Sequence, residues 1–349
     1  MKTILFTGGG TAGHIMPNVA LIEKLKDRYD CVYVGTDGME KKLIKENFDD
    51  VTFFEIKAAK FVRKLTLKNL LLPFKMLKSV KDCKKLMRQI NPSLVFAKGG
   101  YVSYPVAKAA QKLKIPLFIH ESDFSVGLAN KLLLKKCDRF FTTFSDTAKK
   151  VGKKAVCTGS PIRQSVYSAK KSHGLSTMGF NGNRKIITIV GGSLGAKKLN
   201  DIVAASIDKL AEKYDVFLIS GKGKAPEIKN PHFKTAEFCN DIFDVFAASD
   251  VVVTRGGSNA LCELVAMKKP MLVIPLTSAT RGEQTQNADY FFKNGCCLTA
   301  DENNLTPGVF CQKIQNLFDY ADAMKQNQSK IKIDGTDEIA AYIDKQVNS

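Results

Sequence analysis

The residues with chemical potential in this 349-residue sequence fall next to glycines. His14 closes the stretch TILFTGGGTAGH at residues 3–14, where it opens a helix. Burial and the helix dipole both favour a neutral imidazole there, which suits a general base. The run His120-Glu121-Ser122-Asp123 follows the apolar residues 115–119 and sets two carboxylates at one sheet edge. Asp123, ahead of Glu121, could take a proton or orient a sugar hydroxyl. Ser193, in the glycine stretch at residues 191–196, offers a hydroxyl and backbone N–H groups to a diphosphate, and Arg163 could add a bidentate charge. Glu263, in RGGSNALCE at residues 255–263, lies where a carboxylate can accept two vicinal hydroxyls of a ribose. Residues 281–287, RGEQTQN, are rich in the amide groups that read sugar hydroxyls. Each has a structural alternative: His14 bonding only a backbone group, Ser193 stabilising its turn, Arg163 capping a carbonyl, Glu263 capping its helix. No HExxH, no DxD-type pair after a strand and no Cys/His cluster occurs. The expectation is a mechanism without metal or cofactor, with leaving-group charge met by helix N-termini and Arg163.

These residues need a scaffold that delivers them to one place. Residues 4–7 are β-prone and lead straight into the glycines and an apolar-periodic segment, which reads as strand, tight turn, helix. Glycine lets backbone N–H groups approach an anion at the helix N-terminus. Gly8-x-Gly10-x-x-Gly13 also matches the dinucleotide fingerprint, for which Asp37 would be the ribose acid; alone, that match is weak. The second half repeats the arrangement at residues 186–210, and each half carries a further glycine pair after an apolar strand, LVFAKGG at 94–100 and VVVTRGG at 251–257. We read this as an approximate duplication of a βαβ-type unit.

Strands are expected near residues 3–7, 31–35, 52–56, 94–97, 116–120 and 139–143, and again near 186–190, 215–219, 234–237, 251–254, 271–274 and 297–299. Helical periodicity separates them, so two doubly wound parallel sheets follow, an α/β fold. Thr158 to Arg163 breaks the pattern and starts the connection between domains 1–163 and 164–336. A last helix, 337–346, with Thr336 as N-cap, could pack on either domain. Nine cysteines without a CxxC pair read as reduced, mostly buried thiols. No run of eighteen apolar residues occurs and Met1-Lys2 leads directly into a strand, so a chain that stays on the cytosolic side without spanning a membrane is expected.

The net charge of +19 is unevenly placed: residues 1–163 hold 31 Lys+Arg against 14 Asp+Glu, the remainder 22 against 20. An anionic surface should therefore meet the first half. Residues 57–89 concentrate 11 basic residues against Asp82 alone, interleaved with Phe61, Leu70, Leu71, Leu72 and Phe74 and beside Lys75 and Lys78. That mixture suits an anionic bilayer, at about 1 kcal/mol per basic residue near the surface. The alternative is an amphipathic core helix with a solvated basic face. Only Phe61 and Phe74 could stack on bases, which argues against nucleic acid as a partner.

Together GGGTAGH, KGGYVS, HESD, TGSPIR, GGSLGA, RGGSNALCE and EQTQNA resemble, in order and over nearly the whole chain, the MurG family of bacterial glycosyltransferases. The resemblance implies the GT-B fold, two Rossmann-like domains facing a cleft. It also implies transfer of N-acetylglucosamine from UDP-GlcNAc to the C4 hydroxyl of the muramoyl sugar of lipid I, with inversion, giving lipid II for peptidoglycan synthesis. The first domain would hold the acceptor diphosphate on Gly9, Gly10, Gly99, Gly100 and Tyr101. The second would hold the donor: Glu263 on the ribose, Cys239 at the uracil, Ser193 and Arg163 on the diphosphate, Ser258 and Asn259 in the donor loop, Gln284 on the sugar. Thr11, Gly13, Asp123 and Asn287 complete the donor set, and His14 is the base with Asp123 as rival. The 57–89 stretch becomes a docking face on the cytoplasmic side of the membrane, with cell-wall and division proteins as further partners. The sequence departs from the family pattern with Asp123 where HEQN has an amide, Ala12 for a glycine and Glu283 for a glutamine. Rival readings are another GT-B transferase, a UDP-GlcNAc epimerase, an NAD-dependent dehydrogenase using Asp37 and a non-catalytic membrane module.

Overall fold

A computed structural model describes residues 1–59, 72–191, 196–277 and 282–349. Phe61, Leu70, Leu71 and Ser193 lie outside the described residues, as does the side chain of Leu72. The chain forms two compact units, Met1–Gln164 with Ile333–Ser349, and Ser165–Lys332.

The first unit is built on seven parallel strands: β1 Thr3–Thr7, β2 Asp30–Gly35, β3 Thr52–Glu55, β4 Leu94–Ala97, β5 Leu117–Glu121, β6 Arg139–Thr142 and β7 Ala155–Cys157. Their spatial order is β3-β2-β1-β4-β5-β6-β7. Helices cover both faces, so successive side chains enter two different cores and the strands read as unbroken apolar runs. Ile4 and Phe6 join Leu94, Phe96, Phe118 and Phe141 on one face, while Leu5 joins Val95, Ala97 and Ile119 on the other. The helices that position the site are α1 Met16–Leu25, α2 Met39–Asn47, α3 Leu72–Ile90, α4 Gly100–Leu113 and α5 Leu128–Leu133.

The last helix, Thr336–Asn348, packs in this unit and fills one core with Ile339, Ala340, Ile343 and Val347. Its approach is fixed by a short parallel bridge, Ser160 N–H to Ile333 O at 2.8 Å and Gly335 N–H to Ser160 O at 2.9 Å. The expected cap is corrected: Thr336 is already helical, and Asp334 Oδ1 accepts its N–H at 2.8 Å. The Thr336 hydroxyl is thereby released to accept the Ile162 N–H at 2.8 Å.

The second unit has six parallel strands: β8 Lys185–Val190, β9 Tyr214–Ile219, β10 Phe233–Ala236, β11 Val251–Thr254, β12 Met271–Val273 and β13 Leu298–Thr299. Their order is β10-β9-β8-β11-β12-β13, which repeats the β3-β2-β1-β4-β5-β6 order of the first sheet. The duplication read from the glycine stretches is thus a duplication of topology. In each sheet the order reverses beside the first strand, between β1 and β4 and between β8 and β11, and ligands of such sheets bind beyond the strand ends at that point. Helices of this unit used below are α6 Lys171–Met178, α7 Lys197–Ala211, α8 Ile242–Ala248, α9 Ser258–Ala266 and α10 Glu283–Lys293.

Candidate functional site

In the first unit both glycine turns arrive at the reversal point and pack against each other. Gly10 has φ +87° and Gly100 φ +78°, a region that L side chains rarely adopt. A Cβ on Gly100 would lie 2.3 Å from Gly9 O and 3.3 Å from His14 Nδ1, and one on Gly10 would lie 2.8 Å from the Tyr101 ring. His14 ends a short 3-10 turn, Ala12–His14, that also holds Gly13. Its Nδ1 is 2.9 Å from Thr11 Oγ1. The structure therefore brings Gly9, Gly10, Thr11, Gly13, His14, Gly99, Gly100 and Tyr101 together.

Glu40, in the first turn of α2, is the residue that sequence reasoning missed here. It is 1% exposed. Its Oε2 accepts the Gly10 N–H at 3.3 Å and its Oε1 accepts the Thr36 N–H at 2.9 Å and the Thr36 hydroxyl. The Gly10 N–H, expected to receive a ligand diphosphate, holds this carboxylate in the structure. The same contact weakens the dinucleotide reading. Asp37, its proposed ribose acid, is exposed and paired with Lys41 Nζ at 2.8 Å.

At the end of β5 the four residues 120–123 divide their roles by burial. His120 is fully buried and its Nε2–H donates to Gly159 O at 2.9 Å. Burial, with the Lys98 charge second, pushes its pKa well below the usual histidine value, against the Gly159 bond. Glu121 accepts N–H groups from Asp123 at 3.1 Å and Gly127 at 2.8 Å, and the Asn130 amide at 2.9 Å. Burial foremost, then Asp123, raises its pKa, while the Gly127 N–H, Lys98 and Asn130 oppose the rise. Glu121 is a brace of the loop, and Asp123 is half-buried. Beneath it Lys98, 1% exposed, donates to Ser122 Oγ. Arg163, also half-buried, lies beside Glu23 of α1. Burial raises the Glu23 pKa, offset by the Gln164 N–H and the Arg163 charge.

In the second unit, α9 starts at Ser258, directly after the Gly256-Gly257 turn, and carries Asn259 and Glu263 half-buried on its first two turns. Two residues expected at the donor, Gln284 and Asn287, make hydrogen bonds within the unit. Gln284 Oε1 accepts the Gly256 N–H at 3.3 Å and the Leu276 N–H at 2.9 Å. Asn287, with no exposed surface, donates to Gly256 O at 3.1 Å. The reason is close packing: a Cβ on Gly256 would lie 2.4 Å from Gln284 O, so the amides of α10 sit against the turn. A buried ion pair braces the same turn, Arg255 to Glu302, with Arg255 Nη1 also on Ile274 O at 3.1 Å. After β10, Phe238 is 70% exposed and Cys239 half-buried, its thiol pKa raised chiefly by burial.

Among the described residues His173, Asp241 and Asp244 bring three ligand-type atoms within 4.8 Å of one another. Asp244 accepts the Lys170 N–H and pairs with His173 Nδ1 at 2.7 Å, the first of which lowers its pKa most. The group ties α6 to α8, where a Cβ on Gly174 would lie 1.9 Å from Asp244 O.

On α3, Val80, Cys83 and Met87 are buried in the core, while Phe74 is 71% and Leu77 61% exposed beside exposed Lys75 and Lys78. The later turns of this stretch form the core helix, and its start presents an exposed apolar, basic surface. No helix of the described residues is long and apolar enough to cross a membrane.

Two doubly wound parallel units, each with a glycine turn at its reversal point, define the GT-B class of glycosyltransferase. The chain belongs to glycosyltransferase family 28, whose N-terminal domain model matches residues 4–142 and whose C-terminal domain model matches residues 186–343. It is 40% identical, over 96% of each chain, to the UDP-N-acetylglucosamine--N-acetylmuramyl-(pentapeptide) pyrophosphoryl-undecaprenol N-acetylglucosamine transferase of Clostridium botulinum (strain Langeland / NCTC 10281 / Type F). The enzyme of that name from Clostridium tetani is 39% identical over 99% of this chain and 98% of its own. Among solved structures, MurG of Acinetobacter baumannii superposes with a TM-score of 0.77 at 24% identity, covering 99% of this chain and 100% of its own. A Listeria monocytogenes protein described as a UDP-N-acetylglucosamine 2-epimerase superposes with a TM-score of 0.72 at 15% identity, covering 100% and 96%. These likenesses show the fold.

Proposed function

We propose that the protein transfers N-acetylglucosamine from UDP-GlcNAc to the C4 hydroxyl of the muramoyl sugar of lipid I, with inversion, to form lipid II. The observation that carries this reading is the 40% identity, over 96% of both chains, to a transferase of that name. The first unit takes the acceptor. Its two packed glycine turns receive the diphosphate through N–H groups other than that of Gly10, and His14 removes the C4 proton. In the tautomer whose Nδ1–H donates to Thr11 Oγ1, the Nε2 lone pair is the basic position. Asp123 is the competing base, since Glu121 is committed to its own loop.

The second unit takes the donor. Glu263 accepts the ribose hydroxyls, Cys239 flanks the uracil and the start of α9 with Ser258 and Asn259 serves the donor loop. Gln284 keeps its role at the sugar through its amide N–H₂, its carbonyl being held by the turn. The glycine stretch at residues 191–196, with Ser193, is the part that would receive the leaving diphosphate, with Arg163 as the added charge. The displacement passes through an oxocarbenium-like state, with the base acting as UDP leaves. The start of α3 docks on the anionic cytoplasmic face of the membrane, where the polyprenyl acceptor resides. Support for this comes from the exposed Phe74 and Leu77 among lysines.

Mass spectrometry of a lipid I analogue incubated with protein and UDP-GlcNAc tests the reading. Gain of one N-acetylhexosamine on the acceptor sugar supports it, while conversion of UDP-GlcNAc to an isomer with no change in the acceptor points to an epimerase.

A further inference from the structure

We propose that Lys98 is a positioning residue for the sugar transfer, acting through Ser122 to set the loop that carries Asp123. The proposal rests on the transferase reading above. Lys98 directly follows β4, an apolar strand, and is 1% exposed. A buried ammonium is costly unless it is hydrogen-bonded and serves a neighbouring charge. Its Nζ donates to Ser122 Oγ. Its charge also disfavours protonation of His120 and opposes the burial-driven rise of Glu121. One side chain thus acts on each of the three residues that lead into Asp123.

Its backbone ties the same residue to both glycine turns. The Lys98 N–H donates to Thr7 O at 2.8 Å, and a Cβ on Gly8 would lie 3.1 Å from Lys98 Cβ. Gly99, the next residue, begins the second turn, where a Cβ would lie 3.4 Å from His14 Cδ2. Glu121 accepts N–H groups on both carboxylate oxygens, a pattern suited to its ionised form, and Lys98 is the cation that favours that form. A residue that only filled this space would be apolar. With 1% exposure Lys98 cannot touch substrate, so its influence on the reaction must pass through the loop.

The test compares the full-length wild type with Lys98→Met, Ser122→Ala and the double variant, reading kcat, donor KM and melting temperature. The expected result for Lys98→Met is a fall in kcat of about 10–100-fold from the displaced loop. Donor KM should stay within about twofold, while the melting temperature should fall, since the change leaves buried Glu121 without the cation that favours its ionised form; kcat is read at a temperature where the variant is folded. Ser122→Ala should lower kcat in the same direction, and the double variant should be no slower than Lys98→Met, as expected of two groups in one linkage. A Lys98→Met rate within roughly threefold of wild type overturns the proposal, because a 1.4 kcal/mol or larger effect is expected of such displacement. If Lys98→Met does not fold, Ser122→Ala decides: a wild-type rate overturns the proposal and a lowered kcat with unchanged donor KM supports it. A wild type that moves no sugar overturns the transferase reading instead, and with it the reaction Lys98 would serve.

Discussion

Nδ1 of His14 lies 2.9 Å from Oγ1 of Thr11, three residues earlier in the same glycine turn. That contact orients the ring, and the two facing glycines leave room beside it: a Cβ on Gly99 or Gly100 would lie 3.3–3.4 Å from imidazole atoms. If His14 is the base, His14→Ala should lower turnover by about 10²–10⁴-fold, the range of general base catalysis. Donor affinity, measured by calorimetry, should be unchanged, and Thr11→Val should give a smaller loss in the same direction. Turnover close to wild type in His14→Ala would move the role to Asp123.

The packing of the two turns should appear in stability. Gly100→Ala places a side chain at φ +78° and 2.3 Å from Gly9 O. Backbone strain alone costs roughly 1–3 kcal/mol, and the clash adds to it. Urea unfolding should show a lower midpoint, whereas an unchanged midpoint would mean that the turns separate at little cost.

The Arg255–Glu302 pair makes a prediction for the second unit. Both side chains are about nine-tenths buried, so Glu302→Ala strands a guanidinium and should cost about 3–5 kcal/mol in unfolding free energy. Replacing both partners with apolar residues, Arg255→Met with Glu302→Leu, should cost less than the single change. A loss in the double variant equal to the sum of those of Glu302→Ala and Arg255→Met would show that the pair is not coupled.

His120 predicts the response to acid. Its folded pKa lies well below 6.5, so between that value and 6.5 the unfolded chain binds more protons than the folded one. Stability from this group is fully present above 6.5 and is lost as pH falls below it. Glu121 works in the opposite sense: its pKa is raised, so its protonation favours the folded chain as pH falls through the window above 4.5. Melting temperature followed from pH 7 downward should fall first through the histidine window, and His120→Gln should flatten that part of the curve.

The start of α3 can be tested apart from catalysis. Phe74→Asp with Leu77→Asp should abolish co-sedimentation with anionic vesicles and leave the melting temperature unchanged, since both side chains are exposed. Undiminished vesicle binding would direct attention to other parts of the basic surface.

Much of this arrangement was legible in the sequence because parallel strands buried on both faces leave apolar runs, and glycines mark where two backbones approach. The order β10-β9-β8-β11-β12-β13 was implicit in the repeated strand and glycine stretches. What stayed hidden were polar side chains turned inward. Nothing local in sequence shows that Glu40 ends on Gly10 N–H and Lys98 on Ser122. Gln284 and Asn287 look like ligand-reading amides for the same reason, because a glycine turn needs the same donors and acceptors as a sugar. Thr336 reads as a cap from its residue type and place before the helix, while in the fold the carboxylate of Asp334 accepts the Thr336 N–H.

The most direct test of the account is the rate of UDP release from UDP-GlcNAc with and without a lipid I analogue, in detergent or on anionic vesicles. The account predicts release that depends on the acceptor and is matched by a disaccharide-bearing lipid product. Release at the same rate without acceptor, or none with it, would contradict the transferase reading.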